Sequence, residues 1–169
     1  MESPMRIRQV NLLDLEEIVR IEQANFLGEE ATSPEKLKEQ IEKIPNTFLI
    51  ADLNGEIAGY IIGSAVSSHH QSADCLVKGM RNLDKSNFIF LQRLSINPDF
   101  KGQGVGTLLL AAMKEVVVDL QNQGIYLACK DHLISYFVMN GFSDSGMFEA
   151  TYGDGAHIEM IWVNPYFKE

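Results

Sequence analysis

A single mixed, mostly antiparallel sheet of about seven strands with helices on both faces, an α/β fold (α+β in some schemes), is the architecture this sequence predicts. Three observations carry that prediction. The segments run strand, two helices, hairpin, strand, helix, strand, helix, two strands. Asn54-Gly55 joins two strand-like runs and is the strongest short hairpin signal in the chain. The strand-forming run Phe88 to Ile96 stops at Asn97-Pro98 and passes through a glycine loop into a long helix with apolar periodicity.

Taken in order, Arg6 to Val10 alternates as an edge-facing first strand does. Asn11 can cap a helix with Asp14 in its first turn, and Leu15, Ile18, Val19, Glu22 and Phe26 continue at helical spacing. Ser33-Pro34-Glu35 opens a second helix in the favoured order of cap, N1 proline and acidic first turn. Leu37, Ile41 and Ile44 form its apolar stripe, and Pro45-Asn46 ends it. Thr47 to Leu53 and Glu56 to Ser67 are the hairpin strands. Ser68 to Ser86 has no clear period, and walls of an acceptor site are expected there. In the long helix Val105, Leu108, Leu109, Ala112, Val116 and Leu120 share one face, and Asn122-Gln123-Gly124 closes it. Ile125 to Cys129 is a buried strand, and Asp131 to Asn140 a short helix ended by Gly141-Phe142. Phe142 to Phe148 and His157 to Val163 are the last strands, with Thr151 to Ala156 between them.

At 169 residues the chain has the size of one domain, 1–169. Its net charge of −9 leaves no surplus of cation for a nucleic-acid partner and suits an amine substrate better. There is no apolar run of membrane-spanning length, and the N-terminus lacks the features of a signal peptide, so a cytoplasmic protein without membrane contact is expected. Cys75 and Cys129 match no metal spacing and read as free thiols; no metal is expected.

The chemistry is concentrated in Lys101-Gly102-Gln103-Gly104-Val105-Gly106, followed by Thr107, where the loop opens the long helix. The first amides of a helix lack intrahelical acceptors and carry the positive end of its dipole, so they attract an anion. Glycines at 102, 104 and 106 let a phosphate approach the backbone closely. A P-loop would need Gly-Lys followed by Ser or Thr, and a dinucleotide fingerprint would need a third glycine where Thr107 stands. Both are disfavoured.

The stretch LSINPDFKGQGVGTLLL resembles the acyl-CoA loop of the GNAT N-acetyltransferases, with Lys101 where Arg or Gln is usual. Lysine keeps a cation near the phosphates but loses the bidentate grip of a guanidinium. The resemblance implies that the strands Phe88 to Ile96 and Ile125 to Cys129 splay apart around acetyl-CoA. Leu94, Ser95 and Ile96 would pair with the pantetheine amides, and Lys101 to Thr107 would cradle the diphosphate.

A second stretch, Leu127 to Trp162, resembles the bacterial and fungal arylalkylamine N-acetyltransferase-like branch through Cys129, Lys130, Asp131, Leu133, Ile134, Tyr136, Gly141 and Phe142. Lys130 joins the expected coenzyme-binding set on that resemblance. Two positions depart from the branch: Phe137 stands where many members carry a proton-donating tyrosine, and Tyr152 stands for a histidine. Tyr136 is the neighbouring candidate acid, rotated about 100° around the helix. On the central strand the positions where animal relatives place histidines are Phe90 and Gln92. The catalytic candidates are therefore Tyr136, Glu22 and Gln92, with Glu149, His69, His70, His132 and His157 as substitute bases. Met147, Phe148 and Trp162 are candidate walls for an apolar substituent.

The expected activity is acetyl transfer from acetyl-CoA to a small primary amine, arylalkylamine or polyamine-like, by direct attack in a ternary complex. Acetylation of a protein lysine or N-terminus and a weakly catalytic CoA sensor are the alternatives. A homodimer is possible.

Overall fold

The computed structural model describes residues 4–66, 88–152 and 155–168, with 145–152 and 155–156 described by their backbone alone. The strands are β1 (Arg6–Gln9), β2 (Phe48–Leu53), β3 (Glu56–Val66), β4 (Phe88–Ile96), β5 (Gly124–Cys129), β6 (Ser143–Tyr152) and β7 (Gly155–Val163). The helices are α1 (Leu15–Asn25), α2 (Pro34–Lys43), α3 (Val105–Asp119) and α4 (Ile134–Met139). The sheet order is β1-β2-β3-β4-β5-β7-β6, and β4 with β5 is its one parallel pair. Asn54 and Gly55, both at positive φ, turn β2 into β3.

Each sheet face has its own core. Ile18 and Ile21 of α1 and Leu37 and Ile41 of α2 pack on Phe48, Ile50, Tyr60 and Ile62. On the opposite face Leu109, Leu110, Met113 and Val117 of α3 and Phe137 of α4 pack on Ile61, Ile89, Leu91, Leu127 and Met160. That face of α3 differs from the periodic one, because Leu108 and Leu120 are 44% and 48% exposed. The helix is apolar nearly all round, so contact with the sheet, rather than spacing, selects what is buried.

Several boundaries move. Helix α3 ends at Asp119, and the residue that turns the chain at positive φ is Gln121 rather than Gly124. Gly124 opens β5 instead, where a Cβ would collide with the Trp162 carbonyl oxygen of β7. The stretch Thr151 to Ala156, expected between strands, is strand through Tyr152 and again from Gly155, since β6 and β7 stay paired to the Tyr152↔Gly155 register. Asp131–Leu133 is a single 3-10 turn before α4. Ser67 and the Ser68 to Ser86 stretch lie outside the described residues. Among the described residues no helix is long and apolar enough to cross a membrane, and no cluster of His, Cys, Asp or Glu could hold a metal.

The start of α1 is fixed electrostatically. Asn11 Oδ1 accepts from the Leu13 amide at 3.0 Å and Asp14 Oδ2 accepts from the Asn11 amide at 2.9 Å, a reciprocal cap on the turn before α1. Arg8 of β1 donates to both Asp14 oxygens, at 2.8 and 2.9 Å, and to Asp52 of β2. Burial alone would raise the Asp14 pKa, but the Arg8 guanidinium and the Asn11 amide outweigh it and hold the carboxyl below its usual range. A depressed folded pKa contributes stability that is present above the unfolded value of about 3.9 and is lost as pH falls through the folded one. The urea midpoint is expected to fall below about pH 4, and Asp14→Asn to reduce that fall. An unchanged acid limb in the variant would show that Asp14 does not report it.

Candidate active site

The loop between β4 and α3 is built by the Asn97-Pro98 stop. Asn97 Oδ1 accepts from the Asp99 amide at 3.0 Å, its Nδ2 donates to the Ile57 carbonyl, and buried Phe100 anchors the turn in the core. Gly102 and Gly104 then take φ of +80° and +77°, and nothing lies within 4 Å of where a Cβ would stand on either. Gly104 is the N-cap of α3 and has no side chain to fill the site, so the amides of Val105, Gly106 and Thr107 face an open cradle. Lys101 and Gln103 are exposed on its rim. Unpaired helix amides with no side chain over them favour an anion.

The cradle stands at the end of a gap in the sheet. Strands β4 and β5 pair only over Phe88↔Gly124, Ile89↔Ile125 and Phe90↔Tyr126, so β4 from Leu91 onward parts from β5. The splay expected between these strands is present. The edge it exposes belongs to alternate residues. Asn97 donates its amide to Ala58 of β3 at 2.9 Å, and a Cβ on Gly59 would stand 2.8 Å from the Ser95 carbonyl oxygen. Ser95 therefore turns its backbone toward β3, while Leu94 and Ile96 turn theirs to the gap. Of the three expected edge residues, Ser95 is thus displaced by strand alternation. Its buried hydroxyl accepts from Asn25 Nδ2 at 2.8 Å, and the same Nδ2 reaches the Ile96 carbonyl at 2.7 Å.

A β-bulge lies at the mouth of the gap. Ile62 opposes Arg93 and Gly63 opposes Leu91, which leaves Gln92 as the extra residue. Gln92 and Arg93 consequently both point to the face of α1 and α2. Gln92 Oε1 accepts from Gln40 Nε2 at 3.0 Å, and Gln92 Nε2 donates to Ser64 Oγ. Arg93 lies over the Phe26 ring at 3.7 Å and donates to Glu22 Oε2 at 2.7 Å, to the Glu30 carbonyl and to Thr32.

Glu22 is completely buried. Its Oε2 also accepts from the Thr32 amide at 2.8 Å, and its Oε1 accepts from the Tyr60 hydroxyl, whose pKa is driven far above the ordinary tyrosine value by burial and then by the Glu22 charge. A general base must reach the proton it removes, and both oxygens of this carboxylate are engaged inside the protein. Glu22, expected as a base, is tied through these bonds to Arg93, Thr32 and Tyr60. Gln92, the other candidate on this face, is an amide with both ends bonded, to Gln40 and to Ser64.

Tyr136 and Phe137 divide as their rotation predicts. Phe137 is core, edge-on to Phe142. The Tyr136 hydroxyl lies where a Cβ on Gly106 would stand, close to Ile96, and bonds to Thr107 in the first turn of α3. Burial raises its pKa against that bond. Cys129 ends β5 in the core beside Met160, and its thiol is pushed up to about 11, by burial first and then by Asp131 and Asp144. Lys130 follows it, half-buried, as N-cap of the next turn.

Trp162 packs with the α3 face, its ring 5.4 Å from the Lys114 ammonium, and so leaves the acceptor-wall set. Met147, Phe148, Glu149 and Tyr152 have side chains outside the described residues, and His69, His70 and Cys75 lie outside them altogether. His132 is exposed. His157 and Glu159 alternate on β7 with the core residues Ile158 and Met160, which puts them on the face of Phe90, Tyr126 and Ile161. Glu159 is a buried carboxylate there, opposite Ala128, and neither it nor Arg93 had a signal in the sequence beyond its place in a strand.

The model of the acetyltransferase (GNAT) family matches residues 15–142. No curated protein sequence matches the chain. Among solved structures, the loading GNATL domain of CurA from Lyngbya majuscula superposes with a TM-score of 0.83 at 14% identity, covering 96% of this chain and 98% of that one. The PaiA N-acetyltransferase of Thermoplasma acidophilum in complex with coenzyme A gives 0.68 at 20% identity over 95% and 99%. The ribosomal-protein-S18-alanine N-acetyltransferase of Escherichia coli gives 0.65 at 19% over 95% and 94%.

Proposed function

The chain belongs to the acetyltransferase (GNAT) family and is an acetyl-CoA-dependent acetyltransferase, and from that premise we propose that its acceptor is a primary amine of a small molecule, arylalkylamine or polyamine-like, attacking directly in a ternary complex. The observation that carries this reading is the gap between β4 and β5, with the α3 cradle at its end and buried Glu159 on the face beyond. Acetyl-CoA supplies the acetyl group as a thioester.

In this reading the amides of Gln103 to Thr107 hold the diphosphate, with Lys101 as the nearby cation and Lys130 at the far wall. The Ile96 backbone pairs with pantetheine, and the Leu94 amide donates to the acetyl carbonyl oxygen as charge develops on it. Glu159 attracts the ammonium, which loses its proton to water before nitrogen bonds the acetyl carbon. As the carbon–sulfur bond breaks, Tyr136, kept protonated by its raised pKa, gives its proton to the sulfur, and the second proton that the new amide nitrogen sheds passes through water to restore the phenol. Direct attack is favoured over an acetyl-cysteine route because a thiol at about 11 offers little thiolate at neutral pH.

Thiol release from acetyl-CoA with a panel of amines tests this. Intersecting initial-velocity lines are expected. Cys129→Ser should keep kcat within about threefold, while Tyr136→Phe should lower it by about a hundredfold and Glu159→Gln should raise the amine KM. CoA binding without amine-dependent release would overturn the reading, as would release with lysine peptides alone.

A further inference from the structure

Gln40 interrupts the apolar stripe of α2 between Leu37 and Ile41 and is only 4% exposed. Its Nε2 donates to Gln92 Oε1, whose own Nε2 donates to Ser64 Oγ, so the amides run in one direction from α2 into the sheet. The end left over is Gln40 Oε1, an enclosed carbonyl oxygen that no donor among the described residues reaches. An enclosed acceptor without a donor destabilises the free chain, and an apolar residue of the same length would not. This amide row sits at the bulge, next to Leu91, where β4 leaves β5 and the gap begins.

We propose that Gln40 recognises the acceptor: its Oε1 accepts an N–H of the amine held at the mouth of the gap. The proposal rests on the amine-acetylation reading above and narrows it. A carbonyl oxygen accepts only, so the ligand must present a donor, and a primary ammonium carries three N–H groups. Gln40 acts on affinity and register and takes no part in bond making.

Binding is read without turnover, by calorimetric titration of 2-phenylethylamine and of 1,4-diaminobutane into the full chain loaded with CoA. CoA affinity is measured first. Gln40→Met removes the oxygen at nearly constant volume; Gln40→Glu keeps an oxygen there and, like Met, loses the donor to Gln92. The Met variant is expected to bind the better amine about tenfold more weakly or worse, with CoA affinity unchanged and a Tm no lower than that of the Glu variant, which loses the same bond to Gln92. The Glu variant is expected to bind it as tightly as the wild type or more so. Equal amine affinity in Met and wild type would overturn the proposal, as would equal weakening in both variants or no binding of either amine. A chain that takes up no CoA would instead overturn the coenzyme reading, and this proposal with it.

Discussion

Gly104→Asp is expected to weaken CoA binding by about a hundredfold or more, because a carboxylate would stand where the helix terminus now offers positive charge. The geometry makes this a clean substitution. Nothing lies within 4 Å of a Cβ at position 104, and aspartate tolerates the left-handed backbone found there better than most residues. The fold should therefore survive with a loss of about 1 kcal/mol or less. Gly104→Asn, of equal shape without the charge, separates repulsion from bulk and should retain most of the affinity. Wild-type CoA affinity in the Asp variant would remove the cradle from the coenzyme site; equal losses in both variants would make space, not charge, the cause.

Arg93→Met should cost about 3–5 kcal/mol of stability, since it leaves the Glu22 carboxylate buried with its cation removed. Arg93 is 22% exposed at its side chain while Glu22 has no exposure, so water can reach one partner only. The value should accordingly lie toward the lower end. Glu22→Met combined with Arg93→Met should recover most of the loss, because two apolar side chains then replace a desolvated pair. Urea unfolding of the two single variants and the double one measures the cycle. A loss under about 1 kcal/mol in Arg93→Met would mean that Glu22 finds water once its partner is gone.

Local signals were reliable where one short stretch contains its own cause. Asn54-Gly55, Ser33-Pro34-Glu35 and the stop at Asn97-Pro98 each act through neighbouring backbone, and each element stands where they put it, whereas Asn11 caps a 3-10 turn and α1 starts only at Leu15. The cradle was legible for the same reason: glycines at 102 and 104 and the start of α3 are one continuous segment. Periodicity failed where it carried little information. Helix α3 is apolar on several sides, and its spacing places Leu108 and Leu120 on a core face that the fold fills with Leu110, Met113 and Val117 instead.

By itself the sequence determined that a mixed sheet forms, that a strand passes through a glycine loop into a long helix, and that residues 15–142 share the pattern of one acetyltransferase family. Tertiary structure alone decided which side chains meet around the gap. The extra residue at Gln92 reverses the alternation of β4 and brings Arg93 to Glu22, and Gly106 leaves the room that the Tyr136 hydroxyl takes. Those outcomes depend on pairs such as Glu22 with Arg93, which are 71 positions apart. Register and packing between distant strands set them, and no local propensity encodes either.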